Sequence, residues 1–325
     1  MKPFELVNIS KYRKELMGIS ALLILVCHTI AYVDMPLIFH YILSFGNIGV
    51  DLFFLLSGVG IYYSLYNNKK NTYRWYAYRF KKLMIPYLII TILFVAIKLY
   101  LGLFSSTEIG FIIRYVLTIQ FWLSHQGAWF VAAIIPMYLL APILYKHIRK
   151  NSFIAILFIL ICYIVDIIPL QYFDNKKIVD ILNNIQFASI RVNCFILGMW
   201  IAKKIEQKQN LSIFKLLMLI IAGIIAMIIT KHMVYCYFFF CLPLLYLLCL
   251  IVEYVGKIVN NVFIFFGDIT LESYLFNGNL PILIITLFQS IDLNDSNNVL
   301  AYLISVILGT FLSYLFHLIN IKIIG

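Results

Sequence analysis

GISALLILVCHTIAYV, residues 18–33, and GVDLFFLLSGVGIYY, residues 49–63, are two long apolar runs that each carry one ionisable residue, His28 and Asp51. Neither run alternates apolar and polar residues as a strand does, so both read as helices rather than barrel segments. Apolar residues make up 63% of the 325 positions and charged residues 12%, against about 45–50% and about 25% in soluble domains. A span of ~30 Å of hydrocarbon takes about 20 helical residues, and runs of that length recur along the chain. The sequence therefore describes a polytopic membrane protein. An ionised group in hydrocarbon costs a few kcal/mol or more, which makes an intramembrane His and Asp functional candidates by default.

Ten spans are expected, in 17–36, 46–66, 83–104, 128–145, 152–170, 185–202, 211–230, 234–252, 266–289 and 299–319. The stretch 105–127, with Glu108, Arg114 and His125, is less continuous and reads as a loop with an interfacial or re-entrant helix. Cytoplasmic loops collect Lys and Arg, and nineteen of the 25 basic residues fall on alternate loops. They include Lys2, Lys11, Arg13 and Lys14, the cluster Lys69 to Lys82, Lys146 to Lys150, Lys203 to Lys215, Lys257 and Lys322. Both termini are expected in the cytoplasm; a further span in 105–127 would put the later basic loops outside.

The net charge of +11 is then accounted for by loops that orient the helices and attract anionic lipid, and it supports no nucleic-acid partner. SLYNNKKNTYRWYAYRFKK, residues 64–82, reads as an extended polar and aromatic loop. No cleavable signal, soluble domain or linker stands out, so residues 1–325 are expected to form a single transmembrane domain. Cys27, Cys162, Cys194, Cys236, Cys241 and Cys249 all lie in spans and read as structural thiols. His40, His125, His147, His232 and His317 lie at or near span ends or in loops and make no metal-binding pair. Neither a metal site nor a phosphate-cradling loop for ATP or a dinucleotide is expected, and no cofactor is expected to be bound permanently.

Counted from Met17, His28 lies about 16 Å into the core, with Asp51 about 8 Å and Ser57 about 16 Å below the outer surface. An adjacent carboxylate fixes an imidazole's tautomer and raises its basicity, as a general base requires. The alternative is an interhelical hydrogen bond that only holds the bundle together. Gly49, Gly58 and Gly60 are small residues suited to close helix packing, and Ser57 reads as packing or substrate contact, since it lacks the context of a nucleophile elbow.

His28 after a basic segment, GVDLFFLLSG at 49–58 and YRFKKLMIPY at 78–87, with Arg79, Lys82 and Pro86, together resemble the acyltransferase 3 family of membrane acyltransferases. Three later segments follow in order: WFVAAIIPMYLLAP from Trp129, IRVNCFILGMW with Arg191 and Gly198, and FGDITLESYLFN at 266–277. The resemblance implies a bundle of about ten transmembrane helices in the bacterial cytoplasmic membrane. Its activity would be transfer of an acyl group, usually acetyl, from cytoplasmic acyl-CoA to a hydroxyl of a cell-surface or lipid-linked glycan. His28 takes the family's catalytic position, with Asp51 as its orienter; Arg79 and Lys82 match the basic positions for the donor. Trp129, Tyr138, Arg191, Tyr274 and Asn277, with Ser57, are expected as substrate-contacting or supporting residues.

Two departures from the family pattern bear on the site. Its frequent Arg eleven residues before the histidine is Met17 here; Lys14 is the first substitute, within roughly 40° of the His28 face, and Arg13, about 60° away on the other side, the second. Relatives often carry a histidine where this chain has Asn277, so no second histidine is assumed there; Asn277, Glu272 and Tyr274 are expected to bind an acceptor by hydrogen bonds. Direct transfer with His28 as general base is the expected chemistry, with an acyl-histidine intermediate as its variant. The competing readings are a proton-coupled transporter or flippase of a lipid-linked or acylated glycan, using His28 and Asp51 as a relay, and a structural membrane subunit.

Overall fold

The computed structural model describes residues 3–68, 71–231, 233–289 and 298–324; Lys2, Lys69 and Lys70 of the basic clusters, and His232, lie outside them. Among the described residues nine helical segments are long and apolar enough to cross a membrane: Arg13–Ala31, Leu37–Tyr66, Thr72–Tyr100, Trp129–Lys150, Lys176–Glu206, Ile213–Thr230, Met233–Tyr254, Thr270–Gln289 and Val299–Ile323. The fifth expected span, 152–170, is the 14-residue helix Phe153–Asp166, about 21 Å long. Pro169 lies just beyond its end, and Asp166 is held there by the Ser189 hydroxyl. Ile92, Leu93, Ile164, Ile228 and Ile307 face outward, exposed on the bundle's rim, a surface that suits lipid and would drive aggregation in water. The chain is an all-α polytopic membrane protein.

Three boundaries differ from the expected ones. The run 64–82 is largely helical: Asn71 accepts from the Tyr73 amide (2.9 Å) and starts a 29-residue helix, Thr72–Tyr100, that carries the aromatic and basic residues on its first turns. The second run begins at Leu37 instead of near residue 46, through a short helix, Leu37–Ser44, that continues by a 3-10 turn into Ile48–Tyr66. Residues 257–268, of which only 266–268 were expected in a span, form the helix Lys257–Asp268, which packs along Arg13–His28. In 105–127, two short helices, Ile109–Val116 and Ile119–Ser124, are tied to the Lys176–Glu206 helix by Asn184, which contacts His125 Nδ1 (2.7 Å) and donates to the Trp122 carbonyl (3.1 Å).

Glycines set the closest crossings. A Cβ on Gly58 would overlap the Phe195 carbonyl, and one on Gly198 the Leu55 carbonyl, so the Asp51 and Arg191 helices touch backbone to backbone. Gly18 and Gly267 do the same for the His28 helix and Lys257–Asp268. In lipid, where apolar burial does not drive helix association, such close packing supplies the cohesion.

The basic clusters gather at one end. Two-residue strands, Phe4–Glu5 and Asn210–Leu211, pair antiparallel there and join the N-terminal segment to the 203–215 loop. Lys203 Nζ donates to the Ile148 carbonyl (2.9 Å), and the Tyr62 hydroxyl to Glu206 (2.6 Å).

Candidate functional site

Three contiguous hollows run through the bundle from that basic end. The first, about 590 Å³, is lined by Arg13, Lys14 and Met17 of the His28 helix, Ser57 and Gly60 of the Asp51 helix, Arg79 and Lys82 of Thr72–Tyr100, and Tyr138. The second, about 50 Å³, shares Phe53, Phe130, Thr270 and Leu271 with the first and adds His28, Trp129, Tyr274 and Asn277. The third, about 290 Å³, shares His28, Trp129, Tyr274 and Asn277 with the second and opens among Tyr32, Thr91, Lys98, Tyr115 and Asn279. His28 thus stands where a small chamber meets a larger vestibule.

Helical spacing explains the continuity. Ala21, Ile24, Leu25 and His28 recur at three and four residues and make one stripe above Lys14 and Met17. Thr270, Tyr274 and Asn277 do the same on their helix. The Thr72–Tyr100 helix lines both ends, with Arg79 at the first hollow and Lys98 at the third. Nineteen residues separate them, about 28 Å of helix, which matches the ~30 Å hydrocarbon core.

Between the basic hollow and His28 stands an aromatic collar. Phe53 meets Phe130 edge to face at 5.4 Å, and Phe130 meets Tyr274 at 5.6 Å. The Phe130 amide donates to the Tyr274 hydroxyl (3.3 Å), so the phenolic proton remains free to donate elsewhere. Asn277 Nδ2 donates to Ser273 Oγ (3.0 Å), while its Oδ1 is buried without a partner against Gly309. Among the described residues the His28 ring makes no hydrogen bond to protein, which leaves both ring nitrogens for whatever occupies the chamber. In the vestibule wall, burial pushes the Tyr115 phenol above its ordinary value and keeps it a donor.

The four cations proposed for the donor do meet, with different roles. Arg13 Nε donates to the Leu56 carbonyl (2.9 Å), and its guanidinium lies against Gly60. Lys14 is 63% exposed and paired with Asp268 (2.9 Å). The order of preference is therefore reversed: Arg13 turns inward under the Asp51 helix, and Lys14 is neutralised at the rim. Arg79 Nε is buried with no hydrogen-bond partner, an unspent donor on the hollow's wall.

Asp51 does not orient His28. Its carboxylate forms an ion pair with Arg191 and meets Cys194 Sγ at 3.6 Å, on the face that carries Leu55 and Gly58 toward the Arg191 helix. Arg191 also donates to Asn47 Oδ1 (3.2 Å) and lies over the Tyr237 ring at 5.7 Å. Both residues line none of the three hollows. Glu272 likewise faces the basic hollow, not the His28 chamber: Asn320 Nδ2 donates to it (3.1 Å) and His317 Nδ1 lies at 3.2 Å. Sequence reasoning missed the collar phenylalanines and Lys98. At 100° per residue Phe53 points 200° from Asp51, a signal already present in the quoted run.

The Acyl_transf_3 family model, described as an acyltransferase domain, matches residues 16–318. No curated protein and no solved structure matches the chain.

Proposed function

The chain belongs to the acyltransferase 3 family, and on that premise we propose that it moves an acyl group, acetyl foremost, from cytoplasmic acyl-CoA to a hydroxyl of a cell-surface or lipid-linked glycan, in the bacterial cytoplasmic membrane. The observation that carries this reading is the unbroken lining from the basic hollow, through the collar, past His28 to the vestibule. The phosphates of the donor suit the basic hollow, where Arg13 and Arg79 offer charge-assisted hydrogen bonds. The bulky nucleotide stays there while the slender thioester arm passes Phe53 and Phe130. The acceptor comes from the vestibule side, so the two substrates meet at His28.

A ring nitrogen of His28 takes the proton of the acceptor hydroxyl as its oxygen attacks the thioester carbon. Negative charge moves to the carbonyl oxygen, where the free phenolic proton of Tyr274 can stabilise it. The C–S bond then breaks, and the imidazolium returns its proton to the departing CoA thiolate. The products are an O-acyl ester and free CoA. In the acyl-histidine variant, the same nitrogen attacks the thioester first and expels the CoA thiolate; the acceptor hydroxyl then attacks the acyl group, the C–N bond breaks, and the hydroxyl proton passes to the freed ring nitrogen.

The test is incorporation of label from radiolabelled acetyl-CoA into membrane glycans, with His28→Ala beside the wild type. Label transfer is expected for the wild type and its loss in the variant at equal protein level. Substantial residual transfer by His28→Ala would remove His28 from the chemistry. Flipping of a lipid-linked glycan without label transfer would point to the transporter.

A further inference from the structure

Among the described residues, the vestibule on the acceptor side carries one permanently charged side chain, Lys98, and no carboxylate. A lysine is out of place there. The positive-inside rule disfavours it on that side, and Lys98 is one of only six basic residues outside the cytoplasmic clusters. Snorkelling of the ammonium into headgroups is the ordinary way such a lysine is accommodated. Lys98 does otherwise: its Nζ donates to Asn279 Oδ1 (2.7 Å) and the side chain lines the cavity that His28 lines. Ion pairs among the described residues join Lys14 to Asp268, Arg149 to Glu206, Arg191 to Asp51 and His317 to Glu272, so the only partner of Lys98 is a neutral amide. An ammonium has three donor hydrogens, and the amide uses one.

Around this charge the wall is aromatic and amide-rich. Tyr32 is stacked on Tyr302 at 5.6 Å, Trp129 borders both the vestibule and the His28 chamber, and Thr91 and the amide side chains of Asn277 and Asn279 line the same wall. Flat rings with neutral hydrogen-bonding groups suit a sugar, and a fixed cation beside them suits a sugar that bears an anion. Resting on the acyl-transfer reading of this same site, we infer that the acceptor is an anionic glycan whose carboxylate or phosphate pairs with Lys98 while a neighbouring hydroxyl reaches His28. A carboxylate would come from an acidic sugar; a phosphate would come from the link to a lipid carrier.

The experiment compares polymers and lipid-linked precursors from cells with and without the intact gene by mass spectrometry, and locates any acyl mass that is lost. Loss from a residue of an acidic sugar repeat assigns the carboxylate. Loss confined to the lipid-phosphate-linked precursor assigns the phosphate. An acyl group lost from a repeat with no anionic substituent and no phosphate-linked form overturns this inference and leaves the acyl-transfer reading standing. No acyl loss from any glycan or lipid sinks both. With the acceptor so identified, Lys98→Met should raise the acceptor KM about tenfold or more, as loss of a hydrogen bond to a charged group does, with kcat and the acyl-CoA KM little changed. Lys98→Arg should restore most of the affinity, which a packing role for the side chain would not do. An acceptor KM unmoved in Lys98→Met would refute the pairing.

Discussion

Replacing Asp51 by Asn should damage the fold and spare the chemistry. The carboxylate and the Arg191 guanidinium are each about 1% exposed and are paired with one another between two helices. Removing the charge from Asp51 keeps its volume but leaves a buried guanidinium with neutral partners only, Asn47 and the Tyr237 ring. Breaking one side of a buried pair costs about 3–5 kcal/mol, a factor of roughly 10² to 10³ or more in the folded population. Replacing both partners by apolar residues of similar size is often neutral, so Asp51→Leu with Arg191→Met should recover most of the loss. Heating purified protein in detergent and following the monodisperse fraction by size exclusion measures the stability, and transfer of labelled acetyl per folded molecule measures the chemistry. The expected pattern is a lower melting point for Asp51→Asn, recovery in the double variant, and an almost unchanged rate per folded molecule. A variant that melts like the wild type yet transfers nothing would show that Asp51 acts at the reacting centre and that its pairing with Arg191 is incidental.

Arg79→Ala should raise the KM for acyl-CoA about 10- to 100-fold, the worth of hydrogen bonds to a charged group, with kcat held; an unchanged KM would mean that the basic hollow serves topology alone. Gly60→Ala pushes a Cβ into the Arg13 guanidinium and should weaken donor binding in the same assay without abolishing expression, whereas normal donor affinity would show that Arg13 can move aside freely. Tyr274→Phe removes the phenolic donor that the Phe130 amide leaves free and should lower kcat about 10²-fold, as loss of one oxyanion donor does; a kcat within twofold of the wild type would exclude Tyr274 from that role.

The helices were legible because they are written in local pattern. Apolar runs of spanning length need no tertiary knowledge, and the stripe from Lys14 to His28 follows from helical spacing. What was not legible is which neighbour each face meets. Asp51 and Phe53 share one short motif, but they face different helices, and only packing reveals that Arg191, 140 residues away, claims the carboxylate. The 64–82 segment was misread for a related reason: its polarity argues for a loop, yet the Asn71 cap and a water-facing first turn let the helix start early. Lys98 carried a signal as a charge set apart from the basic clusters, but its value depends on a cavity that no single helix makes.

The two faces of the Asp51 helix also explain how a bundle held by backbone contact keeps a passage open. Along one face Asp51, Leu55 and Gly58 lock against the Arg191 helix, through an ion pair and two glycine contacts. Along the other, Phe53, Ser57 and Gly60 border the hollows. Fixing the first face rigidly against a buried partner holds the second at a set distance from the His28 and Trp129 helices. A small residue at position 60 then leaves room for Arg13, and a large one at position 53 narrows the way to His28. On the proposed reaction, Asp51 would then serve at one remove, by holding the wall of the passage between the basic hollow and the vestibule that His28 lines.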